Sequence, residues 1–203
     1  MKIFGKKPKK EIRSSYIEND YGSILRSLIL GHKPKRVIEC GVLDGYSTFH
    51  IAHALRFNSF RGIYSEFTAY DLWEQYQYNH GDFPKVCSML LDQHLLNKYV
   101  NIHYGDAFKV CDYFDDLSVD FLHMDISNDG EVVEKTIELW GSKISHGGII
   151  AFEGGSEERD KVKWMIKYKK KPIHPVITNI GLGKIWKAQI FTKFPSMTLM
   201  FKR

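Results

Sequence analysis

Five acids and two glycines stand where a fold could gather them: Glu39, Asp71, Asp106, Asp125 and Glu153, with Gly41 and Gly45. Glu39 opens the run Glu39-Cys40-Gly41-Val42-Leu43-Asp44-Gly45-Tyr46-Ser47. Glycines at these points let the backbone turn sharply and a ligand lie against it, and the helix start beyond them presents unpaired N–H groups. A dinucleotide fingerprint would read GxGxxG, its second glycine making room for a pyrophosphate. Here the pattern is ExGxxxGYS. An acid so close to the turn repels a diphosphate but pairs with an ammonium group. Asp71 closes a second apolar and aromatic run, where one carboxylate can accept hydrogen bonds from both hydroxyls of a ribose. Glu66 and Glu74 would take that role if the register were shifted. Asp125 and Glu153 close two further apolar runs. Their oxygens, with water and a substrate hydroxyl, suit magnesium, which would lower the pKa of that hydroxyl and orient it.

The elements that must position these groups can be read from the apolar pattern. Short runs ending in acids are expected to be strands of a buried parallel sheet. The first holds Val37, Ile38 and Cys40, the second ends at Ala69-Tyr70-Asp71, and the third spans Val100 to the Gly105 turn. The fourth carries Val119, Phe121, Leu122 and Met124, and the fifth runs from Gly147 to Glu153. A leading helix is expected after an Asn19 or Asp20 cap, with Ile24, Leu25, Leu28 and Ile29 inward and a stop at Gly31 and Pro34. A second begins at Ser47-Thr48, whose hydroxyls can serve its first turn, and continues to about Phe57. The stretch from Glu74 breaks at Gly81 and Pro84 and resumes as a helix. Its first part, with Tyr76, Tyr78 and His80, is long enough to cover a cleft. A helix over 131–140 links strands four and five. Residues 156–171 read as one cationic amphipathic helix with Val162, Met165 and Ile166 inward, followed by two antiparallel strands. Asp125 and Glu153 would then reach the same carboxyl edge as Gly41, the ligand edge of an open α/β sheet.

A chain of 203 residues with 43% hydrophobic content suits one domain with a substantial core. No run of eighteen apolar residues occurs and MKIFGKKPKK lacks a secretion signal's apolar block, so a cytoplasmic protein without membrane insertion is expected. Cys40, Cys87 and Cys111 are too few and too scattered for a disulfide framework or a cysteine zinc site. The formal charge of +5 is concentrated in Lys2 to Arg13 and in Lys161 to Lys171. Such runs can meet phosphates, although they are more often a solvated tail and a solvated helix face. His50, His53 and His123 read as structural. His80, His146 and His174 fall in expected loops, and spacing selects none as a base.

The run Glu39, Gly41, Gly45, Tyr46, Ser47 resembles motif I of the class I S-adenosylmethionine-dependent methyltransferases, in its small-molecule O-methyltransferase form. The order of strands and helices extends that resemblance over roughly residues 20–203. It implies a Rossmann-like, doubly wound, mainly parallel sheet flanked by helices, with a C-terminal antiparallel β-hairpin. A single domain over 15–203 would follow a basic flexible arm over 1–14. It also implies S-adenosylmethionine held by Glu39, Gly41, Gly45, Tyr46, Ser47, Asp71, Asp106, Ala107 and Asp125. Within that set Asp106 and Ala107 would read the adenine amino edge, and Asp125 would be the catalytic carboxylate. The acceptor would be a small-molecule hydroxyl, as in sugars or polyketide-like metabolites.

The fourth and fifth strands resemble those of metal-dependent O-methyltransferases, which makes Asp125 and Glu153 the candidate magnesium ligands. The sequence departs from that pattern. Asp125-Ile126-Ser127-Asn128 lacks the second acid and the histidine of the usual loop, and Gly154 stands where another ligand is expected. Metal dependence therefore stays open. So do an RNA or polyanion acceptor reached through the basic segments, a catalytically silent scaffold of the same fold, and a homo-oligomer joined through the tyrosine- and tryptophan-rich segments. A nicotinamide dehydrogenase is disfavoured by Glu39 and by the three residues between the glycines. A strand, turn and helix that bind nothing would also satisfy the local pattern.

Overall fold

Alternate residues of the apolar runs face opposite ways, and in the computed structural model, which describes residues 12–92 and 95–203, each set finds its own layer of helices. Seven strands form one sheet: β1 (Arg36–Cys40), β2 (Glu66–Asp71), β3 (Asn101–Tyr104), β4 (Val119–Met124), β5 (Ile144–Glu153), β6 (Trp186–Phe191) and β7 (Met197–Lys202). Their order is β3-β2-β1-β4-β5-β7-β6. The first five are parallel, and β7 lies antiparallel between β5 and β6. This is the expected doubly wound sheet, and β6 with β7 is the expected hairpin.

Val37, Phe121, Ile149 and Leu199 face one core with α1 (Tyr21–His32), α2 (Tyr46–Ser59) and α3 (Phe83–Asp92). Ile38, Leu122, Ile150 and Met200, their immediate neighbours, face a second core with α4 (Gly130–Trp140) and α7 (Ile173–Gly181). All eight are at most 3% exposed. Fully burying such a side chain contributes about 1.5–3 kcal/mol, and a one-residue slip would send every one to the wrong face. The register that brings the acids to a common edge is therefore fixed by the core.

Several local expectations are corrected. The single cationic helix over 156–171 is two short ones, α5 (Glu157–Asp160) and α6 (Lys163–Lys167), and Ile166 is 66% exposed. The chain leaves helix at Lys161, and Asp160 accepts instead from the amides of Ile173 and His174, both at 2.8 Å. That capping starts α7, a helix the sequence pattern did not suggest. His174 consequently lies in α7, and His146 in β5, where loops were expected. At the start of α2 neither hydroxyl caps the backbone: Gly45, at φ +81°, occupies the cap position.

Most of the basic arm, Lys2 to Lys10 included, lies outside the described residues. Among the described residues no helix is long and apolar enough to cross a membrane.

Candidate active site

The carboxyl ends of β1, β2, β3 and β4 border a cleft of about 470 Å³, lined among others by Gly41, Asp71, Asp106, Ala107, Asp125 and Lys170. Its floor is the contact between the ends of β1 and β4. Gly41 has φ +93°, and a Cβ there would lie 2.2 Å from the Asp125 carbonyl oxygen. Only glycine fits such a turn against another strand's backbone. The Asp125 amide donates to the Cys40 carbonyl at 2.8 Å, so the two strand ends stay joined.

Asp71 ends β2 as expected. Its Oδ2 accepts from the amides of Val42 (2.7 Å) and Leu43 (3.1 Å), and its Oδ1 from Trp73 (2.8 Å). It thereby holds the glycine loop in shape. A carboxylate offers about four acceptor positions, so one remains on Oδ1 for a ribose hydroxyl, where two hydroxyls were expected to share the acid. Of the two alternatives for this role, Glu66 begins β2 and pairs with Arg36, while Glu74 accepts from Tyr104. Asp106 uses Oδ1 to accept from the Phe108 amide at 2.9 Å. Ala107 is buried and its carbonyl accepts from the Trp140 indole.

Glu39 is fully buried beneath this floor and does not line the cleft. Its two oxygens are engaged by the Thr48 hydroxyl and by His123 Nδ1, the latter at 3.0 Å from the facing position of β4. The other nitrogen of His123 lies 3.2 Å from the Tyr16 hydroxyl. Burial pulls the His123 pKa down, but the hydrogen bond and charge of Glu39, with the charges of Asp125 and Glu153, outweigh it and leave the pKa raised. Glu39 thus meets an internal partner where an ammonium group of a ligand was expected. Gly45, Tyr46 and Ser47 also stand off the cleft. Gly45 packs toward Val86 and Met89 of α3, the Tyr46 ring centroid lies 4.7 Å from that of His50 in a tilted contact, and Ser47 is 5% exposed.

Asp125 is half-buried. Burial, then the charge of Glu153, raise its pKa to about 7, with Glu39 adding to the rise and His123 and Arg159 opposing it. This places a carboxyl near its midpoint at neutral pH in the floor of the cleft, poised for proton transfer. Glu153, by contrast, accepts from Arg159 Nη2 at 2.9 Å and from the Ser15 hydroxyl at 2.9 Å. A carboxylate already bound to a guanidinium does not fit a divalent ion. Among the described residues, moreover, no group of three His, Cys, Asp or Glu is arranged to hold one.

A segment that sequence reasoning did not select packs over the glycine loop. Arg13 clamps Asp44, inside the glycine loop, through Nε (2.8 Å) and Nη2 (2.7 Å). The same side chain reaches Asn79 Oδ1 and the His80 carbonyl. Ser15 and Tyr16 follow onto Glu153 and His123. The stretch 76–80, read as a cover, therefore does border the cleft through Tyr76 and Asn79, while Tyr78 is 68% exposed. Asp44 sat in plain view between the two glycines. Arg13 stood in a basic run that solvation explained, and Arg159 within the stretch read as one cationic helix.

Residues 38–153 match the family model described as a methyltransferase domain. The chain belongs to that family. Its fold is the class I S-adenosylmethionine-dependent methyltransferase fold, as solved relatives illustrate. A methyltransferase from Geobacter sulfurreducens is 14% identical with a TM-score of 0.63, over 91% of this chain and 78% of its own. An O-methyltransferase from Bacillus cereus, solved with S-adenosylhomocysteine, is 15% identical at 0.63, over 95% and 84%. The O-methyltransferase TomG from Streptomyces achromogenes, involved in tomaymycin synthesis and solved with S-adenosylmethionine, is 14% identical at 0.62, over 95% and 82%. No curated protein matches the sequence.

Proposed function

We propose that this domain transfers a methyl group from S-adenosylmethionine to a hydroxyl of a small molecule, with Asp125 accepting the hydroxyl proton and without a metal ion. The observation that carries the reading is the cleft itself: a glycine cradle at Gly41 joined to Asp125, with acids of β2 and β3 on its far wall. The residues present fit the cofactor. Gly41 lines the cleft at a turn packed directly on the Asp125 carbonyl, Asp71 retains an acceptor for a ribose hydroxyl, and Asp106 with Ala107 borders the end suited to the adenine. Glu39 acts from below by fixing the turn. When bound, S-adenosylmethionine supplies an electrophilic methyl carbon on a sulfonium that departs as a neutral thioether. Asp125 takes the proton as the acceptor oxygen gains the methyl, and the segment 13–16 with the loop 76–80 excludes water from the reacting atoms.

The names of the O-methyltransferase relatives from Bacillus cereus and Streptomyces achromogenes support a hydroxyl acceptor. Magnesium is not part of the proposal because Glu153 is bound to Arg159. Three free cysteines, two of them buried, are in keeping with a reducing cytoplasm.

Thermal melts with S-adenosylmethionine, S-adenosylhomocysteine and NAD test the cofactor. A ligand at one hundred times its dissociation constant adds about 2.7 kcal/mol, or a rise of about 5–10 °C for this size. Rises with the first two and none with NAD are expected, and a flat response to all three would overturn the proposal. Acceptor screens in EDTA and in magnesium should then give equal rates.

A further inference from the structure

The ends of β4 and β5 gather oxygen atoms around an arginine. Arg159 is only 6% exposed and comes from α5, whose first turn is held by the Ser156 hydroxyl. Its guanidinium carbon lies 5.2 Å from the Trp164 ring centroid and 5.6 Å from that of Phe194. A flat cation between two ring faces is attracted to both and loses little freedom on binding an acid. Nη2 donates to Glu153 Oε1 at 2.9 Å, and the Ser15 hydroxyl occupies Glu153 Oε2. Two further atoms are buried with no hydrogen-bond partner: Arg159 Nε and Asn128 Oδ1. Both residues border Gly154, where an added Cβ would meet Asn128 Oδ1 at 2.8 Å and Arg159 Cγ at 3.6 Å. A buried amide oxygen and two strand-end carboxylates are hard oxygen donors of the kind a divalent ion takes. Here the cation beside them, bonded to Glu153, is a side chain.

We propose that Arg159 takes the place of a divalent ion at the acceptor end of the site: its guanidinium compensates Glu153 and keeps that carboxylate from coordinating metal, leaving Asp125 free to meet the acceptor. The catalytic meaning rests on the methyl-transfer reading above, whereas the exclusion of metal does not.

The test titrates Mn2+ into the full chain and reads bound ion by electron paramagnetic resonance, which needs no turnover. The wild type should bind none. Arg159→Ala, which uncovers Glu153 and leaves the Asn128 oxygen in place, should gain one Mn2+ per chain. Adding Glu153→Gln to that variant should abolish the gain, and added guanidinium ion should compete with the metal. Arg159→Gln serves in the same titration if the alanine variant lacks a cooperative melt. Stoichiometric Mn2+ on the wild type that Glu153→Gln removes would overturn the proposal, as would a folded Arg159 variant that gains none. An S-adenosylhomocysteine melt run in parallel reports on the cofactor alone. Its failure with the Mn2+ pattern intact would remove the methyl-transfer reading and leave Arg159 as the resident cation.

Discussion

Along the carboxyl edge of the sheet, the acids of β2 and β3 and the acids of β1 and β5 are held by different means. Asp71 and Asp106 accept from backbone amides within their own turns or the neighbouring loop, and both remain open to the cleft. Glu39 and Glu153 are bound by side chains, His123 and Thr48 for the first, Arg159 and Ser15 for the second. Amide-held acids keep part of their acceptor capacity for a ligand. Acids paired with side chains spend theirs on the protein, and their role passes to shaping the floor and tuning Asp125, the one acid between the two groups.

The largest effect that can break this division is at Asp125 itself. Asp125→Asn should lower kcat by about 10²–10⁴-fold, the usual range for a general base, with S-adenosylhomocysteine affinity by calorimetry nearly unchanged. A variant with wild-type turnover would move the base elsewhere. Because the Asp125 pKa is raised to about 7 and the base must be ionised, kcat/KM of the free enzyme should climb tenfold per pH unit below about 7 and level above it. The sign for stability is the opposite. A carboxyl that holds its proton more tightly when folded stabilises at low pH, and that contribution fades as pH rises from the unfolded value near 4 toward 7. Melts of the wild type against Asp125→Asn across that window check it.

The paired side should fail structurally. His123→Leu leaves Glu39 buried without its partner, which costs about 3–5 kcal/mol and should lower the melting temperature by about 10 °C or more. Restoring most of that loss with Glu39→Gln in the same chain would sharpen the case for a pair, and no recovery would break it. The amide-held side should fail in binding instead. Asp71→Asn should weaken S-adenosylmethionine by about tenfold, the effect of roughly 1.4 kcal/mol, with a melt shifted much less than that of His123→Leu. The smallest effect is expected at Arg13, whose side chain is half exposed. Its pair with Asp44 is worth under about 1 kcal/mol, so Arg13→Ala should barely move the unliganded melt.

The sheet was legible because its evidence is local. Runs such as Val37 to Cys40 and Phe121 to Met124 carry their own strand signal, and the acids after them mark the edge. Gly41, Asp71, Asp106, Ala107 and Asp125 could be gathered from sequence for the same reason, each being placed by the end of its own strand. What was missed depends on distant partners. Tyr16 meets His123 across 107 residues and Ser15 meets Glu153 across 138, and no periodicity announces either contact. Arg159 lies only six residues from Glu153, yet it sat in a charged stretch whose pattern suited one continuous helix. The break at Lys161 and the start of α7 are set by Asp160 reaching forward thirteen and fourteen residues, a tertiary preference that overrides the amphipathic reading.

The segment that packs over the glycine loop is continued by residues tied to β6 and the turn after it. Asn19 donates to the carbonyls of Lys193 and Phe194, and Tyr21 donates to those of Phe191 and Lys193. A nascent chain lacks these partners of Asn19 and Tyr21 until β6 and the turn after it have been made. Asp44, His123 and Glu153, which hold Arg13, Tyr16 and Ser15, all precede β6, so the cover can close on a partly synthesised site and is fastened from behind only when β6 and its turn arrive.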